Sequence, residues 1–214
     1  MDATRKELKL NLELYLGFIL AAAVLVAIPG PVVTLLVATA IRDGKGAALS
    51  TVAGSSTALV FHMLAVGLGL TSLLAFIGEW FEWLKWVGAL YLVWLGISAW
   101  KHSYRTEALP ALGPKNRNHF VRGFLVGVTN PKTLLFYAAF FPQFIDPSLP
   151  LTQQLLWLCP TFLVVGGTID TIYALSASRA GKLFTSPLAQ MLSDRVSGTL
   201  LILAGAGLAA TRRI

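Results

Sequence analysis

One lysine in this 214-residue chain stands where a lysine is costly. It lies in Arg122–Asp146, RGFLVGVTNPKTLLFYAAFFPQFID, which is apolar between its flanking charges and long enough to span a bilayer. Asn130, Pro131 and Lys132 fall near its middle. A lysine at mid-bilayer costs roughly 2.5–3.5 kcal/mol on insertion scales. Pro131 removes a backbone donor and frees a carbonyl in the preceding turn. Non-helical backbone at that depth persists only where protein or a water-filled cavity satisfies it. A half-helix beginning at Pro131, a favoured first position, would aim its positive end at the break. A cation beside a helix N-terminus suits an anionic group such as a carboxylate. Asn130 could offer its amide to that group or cap the half-helix. The competing reading is a lysine that snorkels to an interface from a span starting after it. Only 13 uncharged residues follow, Thr133–Ile145, which is short for a crossing.

The second candidate is Asp170, preceded by 23 uncharged residues, Pro147–Ile169. A solitary intramembrane carboxylate is a proton or cation site, or the partner of a buried cation. Lys132 is the available cation. Arg179 follows nine residues later, about 13 Å along a helix, so a position near the interface also fits. If Asp170 and Lys132 pair, protonation of the carboxylate would weaken the pair and couple proton movement to ligand release. Elsewhere, Pro29-Gly30-Pro31 interrupts another apolar span. His62 lies alone in mid-span and reads as a satisfied polar contact. Gly54, Ser55, Ser56 and Thr57 could hydrogen-bond a ligand, but read first as a close-packing helix face. No nucleophile–base pair, metal-ligand cluster or phosphate loop appears, so neither an enzyme nor a cofactor is expected.

The elements that must position these residues are membrane helices. The chain is 56% hydrophobic and 13% charged, against about 25% charged in soluble domains. Cys159 is the only cysteine, so no disulfide forms within one chain. The first 15 residues mix acids and bases and read as an interfacial lead-in without a cleavage site. Leu14–Ile41 is uncharged over 28 residues, with Pro29-Gly30-Pro31 inside it, and a tight turn follows at Arg42–Gly46. Ala47–Ile77 forms the second span. Glu79–Trp86 then serves as turn and entrance to a third span reaching Trp100, with Trp80, Trp83 and Trp86 as an interfacial belt and Glu82 paired to Lys85. A flexible loop, 101–119, precedes the Asn-Pro-Lys span. Leu151–Ala177 is the fifth span, Arg179–Arg195 a short basic loop, and Val196–Thr211 the last span.

Loops after spans one, three and five carry ten basic residues and the opposite side six. The positive net charge of +7 therefore reads as an orientation signal and not as a nucleic-acid surface, and both termini are expected outside the cytoplasm. Span one reads Gly17-Phe18 and then a Pro-Gly-Pro break; span four reads Gly123-Phe124 and then an Asn-Pro-Lys break. Interrupted helices in matching positions of two inverted halves point to a midplane transport site. The expected architecture is all-α, with six transmembrane helices in two inverted three-helix repeats whose first helices are broken. It forms one domain, 1–214, with half-repeats about 12–100 and 120–212 joined by a cytoplasmic loop, 101–119.

At these residues the chain resembles the LysE/RhtB family, the lysine and threonine/homoserine exporters of bacterial inner membranes. The resemblance rests on Pro29-Gly30-Pro31, on GKGAALSTVAG (Gly44–Gly54), on LKWVGALYLVWLGISAWK (Leu84–Lys101) and on GFLVGVTNPKTLLFYAAFFPQF (Gly123–Phe144). Asp170 stands where family members often carry an acid in the fifth span. The resemblance implies a multi-pass exporter of amino acids or related small metabolites, driven by protons. On that reading Pro29, Gly30, Pro31, Asn130, Pro131 and Lys132 bind substrate and Asp170 carries the coupling proton or cation. The partners are the substrate and the lipid bilayer, with no nucleic acid, and the small-residue helix faces leave room for a homodimer. The rival readings are an exporter of a metal cation or another small solute in the same superfamily, and a membrane scaffold that transports nothing.

Overall fold

The computed structural model describes residues 11–103, 118–184 and 186–210, with backbone alone for 66–82, 84–85, 135, 138–139 and 182–184. Among the described residues all regular structure is helical. In chain order the elements are α1 (Leu12–Ala27), α2 (Pro31–His102), α3 (His119–Val128), α4 (Pro131–Leu135), α5 (Leu151–Phe184) and α6 (Pro187–Ala210). Between α4 and α5 the helix widens into a π-turn, Phe136–Phe140, and then tightens to a 3-10 turn, Phe141–Phe144. Pro31–Ala65, Leu151–Gly181 and Pro187–Ala210 are long and apolar enough to cross a membrane, and α1 and α3 are shorter apolar helices. Leu20, Leu64, Leu90, Trp94, Val164 and Leu203 are exposed on the outside, an apolar exterior suited to lipid.

α2 changes direction at Gly44, whose φ of 84° lies in the left-handed region that glycine adopts without a Cβ penalty. It also reverses further along. Gly123 lies against Thr51, while its neighbour Arg122 shares a cavity wall with His102. A straight helix from Thr51 to His102 would run about 75 Å, so the chain doubles back between these two residues and both arms of α2 reach α3. The first arm packs on α3 through glycines. A Cβ at Gly54 would strike the Phe120 carbonyl, and one at Gly123 the Thr51 carbonyl. The second arm packs on α6 in the same way, with Gly96 on Gly198 and Gly205 on Ala89. Where lipid is as apolar as the side chains, such close backbone approach is what holds helices together.

The aromatic residues after the Asn-Pro-Lys break build the core. Phe18 of α1 meets Phe141 edge-on at 5.5 Å, and Phe136 stacks on Phe162 of α5 at 4.8 Å between ring centres. This cluster ties the two broken helices to α5.

Two sequence expectations change. The stretch Arg179–Arg195 is not a loop: α5 continues to Phe184 with a kink at Ala180, and α6 begins at Pro187. Leu188 and Leu192 extend the apolar stripe below Val196, and Asp194 and Arg195 are helical residues at its wetter end. The predicted loop 101–119 is helical to His102 and again from His119, and 104–117 lies outside the described residues. Pro31 and Pro131 are each the first residue of the helix that follows a break. Trp83 and Trp86 are exposed as a belt requires; Trp80 and the Glu82–Lys85 pair lie outside the described side chains.

Outside the membrane-spanning segments, the start of α1 is clamped to the loop before α5. Asn11 Nδ2 donates to Asp146 Oδ2 at 3.0 Å, and the Ser148 hydroxyl and N–H donate to Oδ1 at 2.6 and 2.9 Å. The Asn11 bond first, and then those of Ser148, hold the Asp146 carboxyl below its ordinary value. A depressed folded-state pKa contributes stability that is present above the unfolded value, about 4, and is lost as pH falls through the folded one. The stability difference between wild type and Asp146→Asn is therefore expected to be flat at neutral pH and to vanish only in strong acid. Melting curves of both proteins in detergent across that range check this; a difference already shrinking near neutrality would contradict it.

Candidate functional site

Both helix breaks form where the sequence places them. α1 stops at Ala27 and α2 begins at Pro31 with Gly30 as its cap; α3 stops at Val128 and α4 begins at Pro131 with Asn130 as its cap. The Asn130 side chain accepts from the Lys132 N–H at 3.1 Å, so of its two candidate roles the structure shows the cap. A helix end leaves its last carbonyls without intrahelical partners, and away from water each needs another donor. Side chains from distant parts of the chain supply them. Lys132 Nζ donates to the carbonyls of Leu25 and Ile28 at 3.0 and 2.6 Å. The Tyr173 hydroxyl donates to the Ala27 carbonyl at 2.7 Å. At the second break His62 Nε2 lies 3.0 Å from the Val128 carbonyl.

Lys132 is thus no snorkelling lysine. It is 9% exposed, and its ammonium, from the start of α4, binds the end of α1. An ammonium has three donors, so one remains after these two bonds. The ammonium lies beside Gly30, where a Cβ would stand 3.5 Å from Lys132 Nζ in ordinary contact.

Asp170 is buried on α5. Its Oδ2 accepts from Ser55 Oγ at 3.3 Å. It makes no direct ion pair with Lys132, but both residues line a small cavity of about 40 Å³ with Ser55, Asn130 and Thr133. That volume accommodates water or a small ion and is too small for an amino acid. A second cavity, about 610 Å³, lies on the other side of the break and is lined by Pro29, Gly30, Pro31, Pro131 and Lys132 at one end. Its far end carries His102, Arg122 and Asp194. Lys132 belongs to both cavities. Of the seven predicted site residues, Pro29, Gly30, Pro31, Pro131 and Lys132 line the large cavity, and Asn130 and Asp170 line the small one with Lys132.

Sequence reasoning missed Tyr173, ranked Ser55 as a ligand contact below helix packing without its link to Asp170, and read His62 only as a satisfied contact, without its carbonyl. Tyr173 stands three residues after Asp170, on the same helix face, which is the one signal that could have drawn attention to it. Among the described residues no three His, Cys, Asp or Glu side chains gather in one place.

An apolar helical chain, broken twice around a buried lysine, falls in the class of helical membrane transport proteins. By comparison with known proteins the particular group follows: the chain belongs to the LysE type translocator family, whose pattern matches residues 23–212. It is 35% identical over 204 residues to the homoserine/homoserine lactone efflux protein of Salmonella typhimurium, covering 95% of this chain and 99% of that one. It is 28% identical over 179 residues to the leucine efflux protein of an Enterobacter species, covering 78% of this chain and 85% of that one. An uncharacterized membrane protein of Vibrio cholerae is 28% identical over 204 residues, covering 95% of this chain and all of that one. No solved structure matches.

Proposed function

We propose that the chain is a secondary active exporter of amino acids or related small metabolites, coupled to protons, in the bacterial inner membrane. The observation that carries this reading is the double role of Lys132. It closes one helix break onto the other and forms a wall of a cavity large enough for a small metabolite. The names of the Salmonella and Enterobacter relatives support an amino-acid cargo. In this reading the chain is one domain of six spans in two inverted halves, with both termini periplasmic.

The chemistry follows from the geometry. A substrate carboxylate entering the large cavity meets the positive ends of α2 and α4 and the spare donor of Lys132. It competes with the Leu25 and Ile28 carbonyls for the ammonium, which loosens α1 from α4 and lets the halves rock. Asp170 takes the coupling proton in the small cavity, with Ser55 as its hydrogen-bond partner. When charged, Asp170 holds Lys132 electrostatically; when neutral, it releases that hold.

Efflux from proteoliposomes loaded with pooled amino acids, with and without a pH gradient, tests the proposal. Gradient-dependent loss of one or a few amino acids is expected. With Asp170→Asn, downhill exchange is expected to persist while gradient-driven transport falls to the passive rate. No amino acid leaving under any gradient would sink the amino-acid reading, and an Asp170→Asn protein still driven by the gradient would remove Asp170 from coupling.

A further inference from the structure

The large cavity has a second polar end that the central site leaves unused. Its wall there carries Arg122, on the first turn of α3, together with His102 of α2 and Asp194 of α6. His102 Nδ1 and Asp194 Oδ2 lie 3.1 Å apart and bridge α2 to α6. The guanidinium of Arg122, a half-buried residue of the cavity lining, makes no hydrogen bond or ion pair with any described residue, so its five N–H donors are uncommitted. A guanidinium is a bidentate match for a carboxylate. Leaving one unpaired on the wall of a cavity is unprofitable for folding and useful for capture.

Arg122 and Lys132 line the same cavity from different helices, Arg122 on the first turn of α3 and Lys132 at the start of α4, with the break at Thr129–Asn130 between them. A small molecule held by Arg122 therefore occupies a different part of the cavity wall from the break. Arg122 also lies among the basic residues of the side expected in the cytoplasm, from which an exporter loads.

We infer that Arg122 and Asp194 form a loading station for a zwitterionic α-amino acid, distinct from the central site at Lys132. Arg122 binds the carboxylate, and the α-ammonium competes with His102 for Asp194, opening the α2–α6 bridge as the substrate enters. The inference rests on the exporter reading.

Two measurements test it. In proteoliposomes, initial efflux rates are read against internal concentration for a pool of common α-amino acids. Arg122→Gln is expected to raise KM by about tenfold or more, with the maximal rate nearly unchanged. Arg122→Lys is expected to recover part of the loss. An unchanged KM, or a fall in maximal rate with KM unchanged, overturns the assignment. The matching amino-acid amides, which lack the carboxylate, serve as the control in the second measurement. The second measurement needs no transport and no variant: phenylglyoxal labelling of Arg122 in the purified wild-type protein, read by mass spectrometry. The acids are expected to slow labelling and the amides are not; equal labelling with both overturns the station. Failure of the wild type to export anything would strike the exporter reading, whereas export with an indifferent Arg122 would strike only this one.

Discussion

Lys132→Ala is expected to abolish gradient-driven efflux and also to weaken the fold. The two effects have one cause. Removing the ammonium leaves the carbonyls of Leu25 and Ile28 buried without their donor, at about 1–3 kcal/mol for each group left unsatisfied. The loss of stability should therefore be about 2–6 kcal/mol, and less where water enters the space vacated by the side chain. Lys132→Met keeps most of the packing and removes the charge, so it isolates the electrostatic part. Lys132→Arg keeps the charge but brings a planar fork to a site shaped for a point charge beside Gly30. All three should fall at least a hundredfold in efflux, and Arg should retain the most stability. Efflux and detergent melting curves of the three proteins check this. A stable Lys132→Met protein with wild-type efflux would remove Lys132 from the mechanism.

That lysine also shows what a sequence can and cannot reveal. The break at Asn130–Pro131 was legible because proline chemistry is local, and Asn130 as a cap follows from its position one residue earlier. The cost of a charge in lipid singled out Lys132 without any knowledge of its neighbours. Its partners were not legible, because they are backbone carbonyls more than a hundred residues away, and a carbonyl has no signature in sequence. The same holds for Tyr173 and the Ala27 carbonyl, and for His62 and the Val128 carbonyl. Ser55 was noticed as a small residue, and nothing local connects it with Asp170, 115 residues on. The start of α6 was misplaced for a different reason. Charges at Asp194 and Arg195 end the apolar window but not the helix, since a helix end beyond the hydrocarbon can carry charge into water. Ironically for a charge-based reading, that misplaced boundary concealed Asp194, which the fold sets against His102 at the rim of the large cavity.

Gly123→Leu is expected to cost more folded protein than most other single changes outside the site. A Cβ at Gly123 would run into the carbonyl of Thr51, with the Thr51 backbone carbon and Cα both 3.0 Å away. None of these is the end of a flexible side chain, so α2 and α3 must separate. Overpacking of this kind costs about 1–3 kcal/mol and at times more, and here the contact also sets where α3 ends. Moving α3 outward moves Thr129 and Asn130, and with them the cap that starts α4 at Lys132. Both stability and efflux should therefore fall, the melting temperature first. Gly207→Ala on α6 provides the opposing case. A Cβ there meets nothing within 4 Å, and alanine gains up to about 1 kcal/mol over glycine in a helix. The first substitution should melt well below wild type and the second at or slightly above it, by fluorescence-detected size exclusion after heating. If both melt together, close glycine packing is not what holds α3 to α2, and the position of the break must be set elsewhere.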